Sequence, residues 1–169
     1  MTVPTEGIPR VQAAIAELQG ENERSVAVVG GAWLDELLAD LIATAFRDDA
    51  VSRRLLDPEA QGPISGYSAR VRVAYALSLV SAENMEDLIL VGRIRNLFAH
   101  KVHRNSFQNE TVRKYCQRLK SGPRVASQED RITPRGQFVS TVAFLSFVLA
   151  TALESRRHDS TPHGSPPSA

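Results

Sequence analysis

The sequence predicts a single all-α domain, a bundle of about six helices. Apolar residues recur at helical spacing in several segments, and no segment alternates apolar and polar residues as a strand does. Short runs rich in Gly, Pro, Ser or Asp separate these segments. A chain of 169 residues, 43% of them apolar, is long enough for one core. We therefore expect one domain over residues 1–157 and a disordered Pro/Ser-rich tail over 158–169.

Two helices are predicted in the first part of the chain. A short one over 9–18 begins at a proline and ends before a glycine. A long one over 25–46 carries two apolar stripes, so other elements should cover it on more than one side. Gly30 and Gly31 each cost this helix roughly 1 kcal/mol of propensity relative to Ala. Their presence indicates a place where another backbone approaches closely.

The middle of the chain is predicted to hold two further helices. Residues 48–63 contain two prolines and should be irregular or only briefly helical. A helix over 68–79 follows. Ser81 is a plausible N-cap for the next helix, which should end near His100 because the apolar period is lost after that residue.

The last two predicted helices are separated by a glycine and a proline. Residues 109–119 place apolar side chains on one side at helical spacing, and Gly122-Pro123 should break that helix. Thr133 is a clear N-cap signal because a proline follows it in the first turn. The final helix should continue to about Arg156.

Charge is unevenly distributed along the chain. The net charge is only +1, but residues 1–69 hold five basic and eleven acidic side chains and residues 70–169 hold fifteen and eight. Between Arg93 and Arg135 there are eleven basic and three acidic residues, a local balance of +8. Such a cluster is compatible with a nucleic-acid partner. Alternatively, the basic segment pairs with the acidic amino-terminal part, within the chain or across a dimer.

Cysteine usage and hydropathy indicate a cytoplasmic protein without a membrane span. One cysteine cannot form an internal disulfide, which fits a reducing compartment. The first twenty residues lack the apolar core of a signal peptide. The longest apolar run, 138–153, is too short to cross a bilayer and contains Ser and Thr, so it is better interpreted as a buried helix.

The segment from Arg95 to His100 is the most informative in the chain. It places a guanidinium, an amide and an imidazole at the end of an otherwise apolar helix. Asn96 and His100 are four apart and share a face, whereas Arg95 lies about 140° from His100 at roughly 100° per residue. Arg95 and His100 therefore converge only if His100 lies in the last turn or just past it, or if a second copy supplies the partner.

Two blocks of this sequence resemble known helical families. The spacing from Arg95 to His100 resembles the Arg-x4-6-His signature of the HEPN superfamily. The blocks 67–77 and 94–100 together resemble, more narrowly, the mannitol operon repressor family, although Arg70 stands where a lysine is expected. The resemblance implies an all-helical bundle that associates, with a dimer expected, and that regulates transcription without an obvious DNA-reading domain. Many other HEPN proteins are metal-independent endoribonucleases, with the histidine and arginine at a dimer interface.

Three functional hypotheses follow. The first is a repressor-like regulator that acts through a protein partner, or through a weak nucleic-acid contact involving Arg93, Lys101 and Arg104. The second is a HEPN-type ribonuclease, in which Arg95 stabilises the transition state, His100 is the base and Asn96 orients the phosphate. The third is a helical interaction module whose polar cluster only fixes the packing of the helices.

A supporting polar network is predicted around the motif. Asp35 and Glu36 interrupt the second helix and are expected to form salt bridges with Arg70 or Arg95. Tyr75 is a candidate for a hydroxyl contact with Arg95, although an ordinary core aromatic is the commoner case.

No metal or cofactor is expected. His100 and His103 are three apart, but no cysteine or acidic ligand follows nearby. The glycine pair in the second helix lacks the lysine and the spacing of a phosphate-binding loop. Cys116 lies on an apolar face and is more consistent with a small core residue than with a nucleophile.

Overall fold

The computed structural model describes residues 22–100 and 106–159, and it confirms the all-α fold, since these residues form helices and no strand. The predicted helix over 9–18 and the end of the predicted tail lie outside the described residues. In chain order the helices are α1 (Glu23–Ala43), α2 (Ala50–Leu56), α3 (Tyr67–Ala76), α4 (Ala82–His100), α5 (Glu110–Cys116), α6 (Gly122–Val125), α7 (Gln128–Ile132) and α8 (Pro134–Asp159).

Side-chain caps begin most of these helices. Ser81 Oγ accepts a hydrogen bond from the backbone N–H of Asn84 at 3.2 Å, which confirms the predicted cap of α4. Thr133 Oγ1 accepts from the N–H of Gly136 at 3.0 Å and caps α8 in the same way. Further caps are provided by Asn22, Asp49 and Asn109. The starts of the helices are thus determined locally.

Some helix ends differ from the prediction. Helix α3 ends at Ala76 because Ser78 adopts a left-handed conformation with φ of 57°. The Leu79 N–H then donates to the Ala74 carbonyl at 2.8 Å, which closes the end of the helix. Helix α8 continues to Asp159, three residues past its predicted end, so the first two residues of the predicted tail are helical.

Gly122 and Pro123 begin a helix as well as separating two others. They form the first turn of α6, where a proline is favourable because its missing N–H would have no helical partner. The backbone of α6 rests directly on Thr141 of α8, and a Cβ at Gly122 would collide with that residue. The glycine is therefore required for this close approach.

Helix α1 lies at the centre of the bundle. It packs against α8, α4, α3 and α2, as its two apolar stripes predict. One residue of those stripes, Val29, is nevertheless 46% exposed. Helices α1 and α8 run in the same direction, since Gly30 faces Val142 and Asp40 pairs with Arg157 farther along both helices.

Helix α8 contains a long apolar stretch. Contrary to the prediction that this run is too short, its segment Pro134–His158 is long and apolar enough to cross a membrane by length and composition, and half of its most apolar stretch is buried inside the bundle. It contacts α1, α6 and α7 most extensively. The buried side chains that make up its inner face include Phe138, Val142, Leu145 and Leu149.

Candidate functional site

Helix α4 carries the polar motif on its last turns. It is regular through His100, so the spacing of an α-helix applies to the whole motif. Arg93, Asn96 and His100 are all exposed, and their spacing of three and four places them on one face. Arg95 lies about 140° around the axis from His100. The exposed arginine that shares a face with His100 is therefore Arg93.

The side chain of Arg95 lies across α1. A Cβ added at Gly31 would come within 2.7 Å of Arg95 Cγ and 3.0 Å of its Cβ, so the glycine makes room for the aliphatic stem. The sequence predicted that another backbone would approach this glycine, but the group that lies against Gly31 is the side chain of Arg95. Arg95 Nη1 donates to Asn96 Oδ1 at 3.3 Å. Among the described residues this amide is its polar partner, and no carboxylate there forms a salt bridge with it.

Arg70 is the centre of the supporting network. Its Nη1 donates to Asp35 Oδ1 at 2.7 Å, and both side chains are largely shielded from solvent. Its Nε donates to the Ile64 carbonyl at 3.1 Å and its Nη2 to the Leu56 carbonyl at 3.0 Å. A lysine could not make these divergent bonds, because it presents a single nitrogen. Asp35 is therefore the partner of Arg70 and not of Arg95.

Tyr75 and Glu36, two members of the predicted network, lie on the surface, and neither bonds to Arg95 or Arg70. Tyr75 is 45% exposed on α3, and the structure does not join its hydroxyl to Arg95. Glu36 is also exposed. The tyrosine at the centre of the bundle is Tyr67, whose hydroxyl donates to the Leu88 carbonyl at 2.9 Å. Its burial raises the pKa of that hydroxyl well above its usual value, so it remains protonated.

Arg93 is held on the surface by an aromatic neighbour. Its guanidinium carbon lies 5.8 Å from the centroid of the Tyr115 ring on α5, within the range of a cation–π contact. The other two residues predicted to bind phosphate, Lys101 and Arg104, lie outside the described residues.

Three of the eleven basic residues between Arg93 and Arg135 pair with carboxylates of the same chain. These three carboxylates lie in α4 and α5. Arg124 makes two bonds with Glu83, at 2.6 and 3.0 Å. The other exposed pairs are Lys120 with Glu86 at 2.6 Å and Lys114 with Glu110 at 2.7 Å.

Most of the chain matches a known protein family. The family described as MtlR, mannitol repressor, matches residues 17–141. The chain belongs to the mannitol repressor family. Among solved structures, a chain of the X-ray structure of the MtlR-HPr complex from Escherichia coli matches with a TM-score of 0.66 and 18% identity, covering 83% of this chain and 98% of that one. This likeness shows the fold. Comparison with curated proteins finds no match.

The region shared with the mannitol repressor family contains the polar face of α4. It spans α1 to α7 and ends within α8, at Thr141. The narrower of the two resemblances is thereby confirmed, whereas membership of the HEPN superfamily stays a prediction.

Within this family region the sequence analysis missed Asp87. This carboxylate is fully buried and accepts hydrogen bonds from the backbone N–H of Lys120, at 3.0 and 3.2 Å, and of Ser121, at 2.8 Å. It therefore connects α4 to the start of α6. The one available signal was an acidic residue inside the apolar run that begins at Met85.

Proposed function

We propose that this member of the mannitol repressor family is a cytoplasmic, repressor-like transcriptional regulator that acts through a protein partner. The family match over residues 17–141 carries the regulatory role. The similar fold of a chain in the MtlR-HPr complex supports a protein as the partner. HPr is accordingly the first partner to test.

The charges of the described residues favour a protein partner over a nucleic acid. Binding to a phosphate backbone depends on the number of cations that can replace its counterions. Lys120 and Arg124 pair with Glu86 and Glu83, which lie outside the segment counted above, so fewer cations are available than the local balance of +8 suggests.

We assign the contact with the partner to the exposed face of α4 formed by Arg93, Asn96 and His100. Arginine and tyrosine are enriched among the residues that dominate protein interfaces. The stacking of Arg93 on Tyr115 restricts its side chain before binding, which lowers the entropic cost of association.

Titration calorimetry with purified HPr tests both parts of this proposal. We expect Arg93→Ala to weaken binding about tenfold or more, as truncation of an interface arginine commonly does. Arg72→Ala is the matched control, because Arg72 is also exposed but lies on α3. Failure of the unmodified chain to bind would exclude HPr. Binding that Arg93→Ala leaves unchanged would exclude the assigned face.

Repression itself is tested in cells. Deleting the gene should raise the transcripts of at least one operon, and restoring it should lower them again. Unchanged transcripts would contradict a regulatory role. Retention of DNA in a gel that weakens steeply with salt would instead favour the nucleic-acid contact.

A HEPN-type ribonuclease is the enzymatic alternative. One observation favours it: among the described residues Arg95 bonds to an amide and not to a carboxylate, so most of its donors remain available to an anion. Because Arg95 and His100 diverge around α4, such a reaction would need a second copy of the chain to bring an arginine and a histidine together.

Incubation with single-stranded RNA in EDTA tests this alternative. Cleavage that is lost in both Arg95→Ala and His100→Ala, and retained in Arg72→Ala, would establish the ribonuclease. Absence of cleavage by the unmodified chain would exclude it. Sizing the protein in solution tests the dimer that it requires. A chain that neither cleaves RNA, nor binds HPr, nor alters transcription would be an interaction module for another partner.

A further inference from the structure

A cleft lies between the segment that contains α6 and α7 and the first turns of α8. Its volume is about 270 Å³. Its floor is one face of α8, formed at spacings of three, one and three by Gly136, Val139, Ser140 and Ala143. Backbone atoms of Asp130 in α7 lie directly against Gly136, where a Cβ would come within 2.5 Å of the Asp130 carbonyl oxygen. This contact fixes α7 on α8 beside the cleft.

Part of the lining of this cleft is apolar. Val139 and Ala143 are half-buried on the floor, and Val125 of α6 lines the cleft with 59% of its surface exposed. Binding sites for small molecules combine such apolar surface with a few polar groups. Sites for drug-sized ligands measure roughly 300–1,000 Å³, so a cleft of this volume suits a smaller molecule.

A carboxylate held in a fixed position lines the same cleft. Asp130 Oδ2 accepts a hydrogen bond from Ser127 Oγ at 2.8 Å, and the Asp130 backbone N–H donates to that hydroxyl at 3.1 Å. Within the described part of the chain these bonds leave Asp130 Oδ1 without a partner, and Asp130 is exposed. The cleft therefore presents an ionised oxygen that a cationic group can reach.

A guanidinium and a hydroxyl complete the polar lining. Arg135 of α8 lines the cleft but forms no ion pair with Asp130, so the two opposite charges do not cancel each other by direct contact. A guanidinium has five N–H donors, which is more than one partner uses. Ser140 Oγ is half-buried on the floor and forms no hydrogen bond to any described residue. Both groups are donors suited to a carboxylate.

We propose that this cleft binds a small α-amino acid with a branched aliphatic side chain, such as valine. The ammonium group of the ligand pairs with Asp130, and its carboxylate accepts from Arg135 and Ser140. Its side chain lies on Val139 and Ala143. Hydrogen bonds between oppositely charged groups are shorter and stronger than neutral ones, so the two ends of the ligand determine its orientation.

The combination of groups favours an amino acid over an anion or a sugar. The carboxylate of Asp130 would repel phosphate or another simple anion. A sugar would place hydroxyl groups against the apolar surface of Val139 and Ala143, where they lose water without gaining hydrogen bonds. An amino acid with an aliphatic side chain supplies one positive group, one negative group and one apolar group, and each has a counterpart in the cleft.

Titration calorimetry of the full chain with L-valine tests the site. Asp130→Asn should weaken binding about tenfold or more, because a charged contact is replaced by a neutral one. The asparagine keeps an oxygen that can accept from Ser127. Glu129→Gln is the matched control, because Glu129 is the adjacent exposed residue of α7 and does not line the cleft; it should leave binding unchanged.

Two outcomes of this titration would overturn the proposal. One is the absence of binding to the unmodified chain at L-valine concentrations up to about 10 mM. The other is an equal affinity of the Asp130→Asn and Glu129→Gln variants. Neither HPr nor transcription enters the measurement, so its result is independent of the proposed function.

Two analogues of valine test the charged contacts without altering the protein. Isobutylamine retains the ammonium group and the side chain, whereas 3-methylbutanoate retains the carboxylate and the side chain. Each should bind about tenfold or more weakly than L-valine, since each forms only one of the two charged contacts. An analogue that binds as tightly as L-valine would overturn the assignment of an amino acid to this cleft.

Discussion

Replacing Asp87 with alanine should destabilise the chain more than replacing any exposed charged residue of the same helix, α4. The carboxylate is fully buried and holds the backbone N–H groups of Lys120 and Ser121 at 2.8 to 3.2 Å. Without it both donors lose their partner, and α6 loses its attachment to α4. Asp87→Asn retains one acceptor oxygen and should have an intermediate effect.

The magnitude follows from the two lost hydrogen bonds. A bond to a charged group is worth about 1.5–3 kcal/mol, so the pair amounts to about 3–6 kcal/mol. Removing a buried charge recovers part of this, because the carboxylate no longer has to be desolvated. We therefore expect a loss of about 3 kcal/mol in the free energy of unfolding.

Urea denaturation followed by the fluorescence of Trp33 measures this loss. With an m value of about 2 kcal/mol/M, the midpoint should fall by about 1.5 M. Glu86→Ala is the matched control, because Glu86 is the adjacent residue and its pair with Lys120 is exposed; it should cost less than about 1 kcal/mol. Equal midpoints for Asp87→Ala and Glu86→Ala would refute the reasoning.

Three further predictions concern stability and reactivity. Gly31→Ala should cost about 1–3 kcal/mol in urea denaturation, because its Cβ would lie 2.7 Å from Arg95 Cγ, whereas Gly30→Ala meets its neighbours only at 3.4 Å and should be neutral or stabilising. A loss in Gly30→Ala as large as in Gly31→Ala would contradict this. Arg70→Lys should cost about 2 kcal/mol by the same assay, since lysine cannot replace three divergent bonds; an unchanged midpoint would show these bonds to be dispensable. Burial raises the pKa of Cys116 to about 12, so at pH 8 its thiol should react with a disulfide reagent only after urea unfolds the chain; rapid reaction of the folded protein would argue against this burial.

The helices and their starts could be predicted from the sequence because their causes are local. Ser81 and Thr133 accept hydrogen bonds from residues three positions ahead, as their places before helical segments predict. Helix ends were less predictable. The end of α3 depends on a left-handed conformation at Ser78, which is uncommon for a residue other than glycine.

The candidate site was predictable only in part. The spacing in the sequence places Arg93, Asn96 and His100 on one face of a helix, but it does not show whether that face is exposed. The structure exposes this face and directs the stem of Arg95 across Gly31. Exposure depends on which helices pack against α4, and those helices come from distant parts of the sequence.

The sequence by itself determined the helical class, the helix starts, the mannitol repressor family and the polar motif. Each of these depends on residues within a few turns of one another, or on a pattern of residues that can be read along the chain. Only the tertiary structure decided that Asp35 pairs with Arg70 and that Asp87 holds the start of α6. The first contact joins residues 35 positions apart in the sequence, and the second joins residues 33 and 34 positions apart. Such partners are selected by the packing of the helices, because a buried charge accepts whichever donors the fold brings within reach.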